Sequence, residues 1–169
     1  MRKIEGFVCI AEIADPSHPR QRRLFGRPQD PSLIERGYEA FATNGLVPFI
    51  SFIEAWIARD EMRKNRYFRS VSIATIEMKM IEDDRDLELP AFRSHGRWVV
   101  TREGDLGTEI IGPCRSKHRT TLPGASIELN CLQPFRDFAR VRYVASEHHR
   151  QSFGAKTRIA TFDLRIALV

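Results

Sequence analysis

Three groups of cations are the residues of this chain best suited to act on a partner. Arg20, Arg22, Arg23 and Arg27 share a stretch with no acid between Asp15 and Asp30. Arg115, Lys117 and Arg119 lie in a second acid-free stretch, 110–127, and Arg140 and Arg142 are expected to share one strand face, alternating with Val141 and Tyr143. Phosphate groups are held by cations at several points, and the planar guanidinium fork suits them better than an ammonium does. Of the 27 basic residues 22 are Arg and 5 are Lys, a bias that GC-rich coding also produces without any function. Position says more than count. Residues 1–88 carry 14 basic and 15 acidic side chains, whereas 89–169 carry 13 and 7, so the second half holds the whole of the +5 net charge. Phe25 and Phe153 stand near these groups, where rings can stack on unpaired bases. The expectation is a non-catalytic nucleic-acid-binding protein, RNA slightly ahead of DNA, with Arg-rich loops and one sheet face as phosphate contacts. The layout is compatible with a subunit of a ribonucleoprotein or of a phage or defence assembly. The alternative is a structural or inhibitory protein–protein interaction module anchored by arginine.

Catalytic and metal chemistry find less support. Cys114-x₃-His118 has a local spacing that zinc tolerates, but Cys131, His148 and His149 do not complete a second tight pair, so no metal or cofactor is expected. Glu77-Met78-Lys79 is the Glu-x-Lys element of metal-dependent nucleases, a third reading. Its partner carboxylate would have to be Asp60, which the periodicity places on a helix rather than a strand. Histidine is the residue type suited to acid–base work near neutrality, but His95, His118, His148 and His149 are not brought together by sequence, and Cys114 has no base placed for it. Glu82, Asp83, Asp84, Asp86 and Glu88 read as a solvated turn.

The elements that must position these residues can be read from hydrophobic period. Residues 4–13 are apolar on both faces, as in a central strand. Residues 14–29 read as a loop punctuated by Pro16, Pro19, Gly26 and Pro28. Asp30-Pro31 opens a helix with Leu33, Ile34, Tyr38 and Phe41 on one side, ended by Asn44-Gly45. Pro48 opens a second helix, on which Phe49, Ile50, Phe52, Ile53, Trp56 and Ile57 fill one arc, opposite Ser51, Glu54, Ala58 and Glu61. That arc is expected to pack on a sheet. Residues 67–81 form a long strand whose apolar face switches at Ala74-Thr75, the mark of a bulge or of cover on both sides. Residues 97–103 and 108–111 make a hairpin around Gly104–Gly107. Strands near 125–131, at 140–143 and over 160–168 complete the chain, with a loop holding Glu147–Arg150. The fold class is α+β, a largely antiparallel sheet of about six to seven strands with an N-terminal helical pair packed on one face.

The length of 169 residues suits a single domain, 1–169, able to bury a core without staples. No apolar run approaches the roughly 18 residues of a membrane span, and the start, Met1-Arg2-Lys3-Ile4-Glu5, lacks the apolar core of a secretion signal. Cys9, Cys114 and Cys131 are odd in number and far apart, which suits free thiols in a reducing cytoplasm.

Overall fold

The computed structural model describes residues 2–14, 22–27, 43–104, 107–113, 120–121, 128–129, 134–151 and 156–168. Its frame is an antiparallel sheet rolled into a nearly closed barrel. β1 (Arg2–Ile13), β4 (Phe68–Met80), β9 (Thr157–Thr161), β5 (Trp98–Gly104), β6 (Gly107–Pro113) and β3 (Thr43–Leu46) succeed one another around it, with β2 (Arg22–Phe25) added beside β1. β10 (Asp163–Leu168) continues β9 past a bend at Phe162 and keeps the same register on β4, from Met80↔Ala160 to Glu77↔Asp163. The ring is joined where Phe7 and Phe49 exchange backbone hydrogen bonds of 3.0 and 2.8 Å. Tracing the pairing once around returns to β1 about ten residues further along, a shear that tilts every strand.

Alternation sorts the side chains into an inside and an outside. Val8, Ile10, Ala74, Ile76, Met78, Met80, Val99, Ile110 and Ala160 fill the interior. On the outer wall Cys9, Ala11, Val71 and Ile73 lie under α1 (Phe52–Arg63), and Val100, Ile111 and Ile159 lie under α3 (Phe138–Gln151). A 3₁₀ turn, Asp84–Glu88, and the one-turn helix α2 (Pro90–Arg93) complete that second outer layer with Leu87 and Phe92. β4 therefore serves two cores along its length. Val71 and Ile73 point outward and Ala74, Ile76, Met78 and Met80 point inward, so the switch at Ala74-Thr75 is cover on both sides.

Other expectations are corrected. Of the expected helical pair the described residues show one member, α1, which covers β1 and β4; α3, which is not part of that pair, covers β5 and β9. The helix expected from Asp30 lies outside the described residues up to residue 42. Asn44-Gly45, assigned to its end, is β3, because Gly45 is buried against Ile111. The second helix starts at Phe52 rather than Pro48, since Phe49 is committed to the ring closure. Residues 22–25, expected as loop, form β2 because Leu24 and Phe25 fill the inner and outer cores in turn. Residues 140–143, expected as a strand, are helical: Phe138, Val141, Val144, Ala145 and His148 repeat every three to four residues, and Val141 with Tyr143 imitates a strand only in a short window. The two-residue strands β7 (Thr120–Thr121) and β8 (Glu128–Leu129) are what is described of the expected strand near 125–131 and its surroundings.

Gly26 marks the tightest crossing. Arg27 donates its N–H to Val47 O at 2.7 Å, and a Cβ on Gly26 would stand 2.1 Å from that oxygen. Gly26→Ala should therefore lower unfolding stability by more than about 2 kcal/mol in urea titration, because backbone rather than a flexible side chain has to give way.

Candidate functional site

α1 is set by its cap. Ser51 Oγ accepts from Glu54 N–H at 3.2 Å, and Glu54 Oε2 accepts from the Ile50 N–H at 3.1 Å, satisfying two donors at the helix start. Phe49 just before it is buried in the ring closure, which fixes the direction in which the helix leaves the barrel. The face laid on the sheet is the small one. Ala55 and Met62 are buried, and Cys9 Sγ donates to Ala55 O at 3.3 Å, a contact that only a small residue permits. Arg59, 8 % exposed, donates Nε to Val71 O at 2.9 Å.

The opposite face is apolar and faces solvent. Ile50, Phe52, Ile53, Trp56 and Ile57 are between 38 % and 73 % exposed. The arc expected to pack on the sheet thus points away from it, a reversal with a physical cause. The outer wall of β1 and β4 is already lined by Phe7, Phe25, Phe49, Tyr67 and Phe68, with Phe25 edge-on to Phe68 at 5.5 Å. α1 lays Ala55, Arg59 and Met62 on that layer. The signal in the sequence was Ala55 with Ala58, which the strength of the isoleucine and tryptophan stripe overrode. Phe25 is consequently a core residue and is not available to stack on a base.

The cations divide into several places. Arg22 and Arg23 lie on β2, opposite Glu12 and Ala11 of β1, and Arg27 comes shortly after. Arg140 and Arg142 stand exposed on α3, over β5 and β9, with β4 between β1 and β9 in the ring. Arg142 pairs with Glu88 at 3.8 Å and lies over the Phe138 ring, where Arg93 also pairs with Glu88 at 3.1 Å. The described members of the β2 and α3 sets are therefore not brought together. Arg20, Arg115, Lys117, Arg119 and Phe153 lie outside the described residues, as do Cys114, His118 and Cys131.

Glu77 and Lys79 lie on the outside of β4, where Lys3 bridges to Glu77 at 3.3 Å. Asp60 is on α1, so the strand carboxylate a nuclease site would need is not supplied by it. Among the described residues no three His, Cys, Asp or Glu side chains are grouped to hold a metal ion, and no described helix is long and apolar enough to cross a membrane. A cleft of about 440 Å³ opens between α3 and the acidic turn, lined among others by Glu82, Asp83, Arg142, Ser146, His149 and Arg158. Arg158 Nη1 donates to Ile81 O and Glu82 O at 3.4 and 3.3 Å. Sequence reading did not single out Arg158, Ser146 or Thr157, which come together only through the packing of α3 on β9. Cations and carboxylates nearly balance there, so the cleft favours neither ligand charge.

No protein-family model, curated protein or solved structure matches the chain.

Two buried groups have displaced titrations. Cys9 is pushed up to about 12 by burial, partly offset by the nearby Arg59 charge. Its thiol should stay unreactive toward a disulfide reagent at pH 8 in folded protein carrying Cys114→Ser and Cys131→Ser, and react fully in denaturant. His148, expected in a loop, is 2 % exposed on the inner side of α3, and burial, then the Arg102 charge, push it down to about 4. Between its ordinary 6.5 and about 4 the unfolded chain takes up a proton that the folded chain refuses. Stability should fall by up to about 3 kcal/mol as pH drops through that window, and His148→Leu should flatten the pH dependence of the urea midpoint.

Proposed function

We propose that the chain is a non-catalytic protein-interaction module that docks through the outward face of α1. The observation that carries this reading is the group of five large apolar side chains left to solvent, four on α1 and Ile50 just before it, while the helix buries Ala55, Arg59 and Met62. Their exposed parts amount to roughly 600 Å², at the top of the range for the largest apolar patch of an ordinary monomer. Such a patch favours a partner surface over water by the usual area-proportional gain. Substituting Trp56→Ser together with Ile53→Ser should leave unfolding stability within about 0.5 kcal/mol of the parent and lower the binding of a hydrophobic dye. A photo-crosslinker placed at Ile57 should form protein adducts, and one placed at Glu82 should not. A loss of several kcal/mol in the double variant, or no adduct at Ile57, would end this reading.

Nucleic-acid binding is the second reading, and a different observation favours it. Tyr143 is 61 % exposed on α3, next to the exposed Arg142 in sequence and one helical turn after the exposed Arg140. Anisotropy of labelled single-stranded RNA, single-stranded DNA and duplex should then show affinity lost ten-fold or more between about 50 and 200 mM salt, and weakened by Tyr143→Ala. Binding that ignores salt, or none, removes it.

A further inference from the structure

We infer that the open edge of β10 takes an extended segment of another protein, one that alternates apolar with acidic residues. This surface is separate from α1, since β10 lies along β4 on the side away from β1. β9 is paired on both sides, with β4 and β5. β10 has β4 on one side and, among the described residues, no strand on the other. The cause is local. β5 would run along β10 if it began before Trp98, but Gly96, at φ +82°, turns the chain out of the ladder between α2 and β5.

The last backbone bond on that side runs from Phe162 N–H to Arg97 O at 3.1 Å. Successive strand residues aim their backbone groups to opposite sides, so Leu164 and Ile166 aim N–H and C=O the same way as Phe162, toward the open edge. The apolar character of the strand also persists past the end of the barrel. Leu164 packs on the interior core, whereas Ile166 and Leu168 are 47 % and 37 % exposed. An exposed apolar edge strand is a template for strand addition.

Charge selects the partner. Arg97 stands at one end of this edge and Arg165 along it; both are exposed, and neither is ion-paired among the described residues. Asp163, the acid of β10, pairs with His95 at 3.3 Å. Cross-strand neighbours share a face, so the partner's apolar residues fall opposite Leu164 and Ile166 and its acids beside Arg165. A second copy of β10 supplies no such acid. Antiparallel pairing centred on Arg165 sets like charges opposite each other, and centring on Ile166 sets Arg165 against Ala167.

Anisotropy of a labelled peptide alternating valine and glutamate over six residues, the length of β10, should rise on titration with the full chain. A valine–lysine peptide should bind at least about ten-fold more weakly. N-methylation of the valine amides should abolish binding and N-methylation of the glutamate amides should not, because only the valine N–H groups face Leu164 and Ile166. Arg165→Glu, with an unchanged urea midpoint, should reverse the preference between the two peptides. The Trp56→Ser/Ile53→Ser variant should bind the peptide as the parent does. Equal binding of both peptides, indifference to the position of the methyl groups, no reversal by Arg165→Glu, or loss of binding in the α1 variant overturns the proposal. So does the absence of binding up to about 1 mM peptide. Amide exchange at Leu164 and Ile166 then identifies what holds the edge instead. Protection at every protein concentration assigns it to a segment of this chain, and protection that rises with concentration assigns it to a second copy.

Discussion

The exchange of backbone hydrogen bonds between Phe7 and Phe49 is the constraint on which the rest of the molecule turns. It bridges the segment that follows β3 to β1, and so narrows the gap between the two ends of the sheet. It also dictates the path of the next residues. Once Phe49 is drawn into the outer core, the chain has Ile50 and Ser51 in which to turn, and Ser51 caps the helix at once. The helix then leaves the barrel with Ala55, Arg59 and Met62 toward the wall. The apolar row has nowhere to go but outward.

The two long helices make opposite use of similar material. α3 buries Val141, Val144 and His148 and exposes Arg140, Arg142 and Tyr143, as an amphipathic helix on a sheet is expected to do. α1 buries its small face and exposes its large one. The wall beneath α3 is lined by Val100, Ile111 and Ile159 beside Trp98 and Phe135. Beneath α1 it is lined by Cys9, Ala11, Val71 and Ile73 beside Phe25 and Phe68. The difference lies in the wall more than in the helix, which is why hydrophobic period alone assigned the wrong face.

Charge behaves in a similar way. The excess of arginine suggested a concentrated cationic surface, yet several of the described cations are met by neighbouring acids. Glu88 serves Arg93 and Arg142, Asp83 serves Arg85, and Glu5 and Glu77 serve Lys3. Exposed pairs of this kind contribute little to stability, but they do lower the local field that a polyanion would sense. The apolar face of α1 has no such compensation among the described residues.

Sequence alone determined the features that depend on neighbours along the chain. The strands β1 and β4, the hairpin at Gly104–Gly107 and the antiparallel character of the sheet were legible, because strand period and turn chemistry are local, while the choice between a bulge and two-sided cover in β4 was left to the structure. The existence of α1 was legible for the same reason, and so was the amphipathic row that makes it a candidate surface. Tertiary structure decided which side of that row met the protein, that 138–151 is a helix, and that Leu24 and Phe25 belong to a strand. Each of these depends on space left by residues far away in sequence: Phe7, Phe25 and Phe68 under α1, Val100 and Ile159 under α3, Cys9 and Ile10 beside β2. Periodicity shows that a helix has two faces; only the depth of the wall it meets selects the one that is hidden.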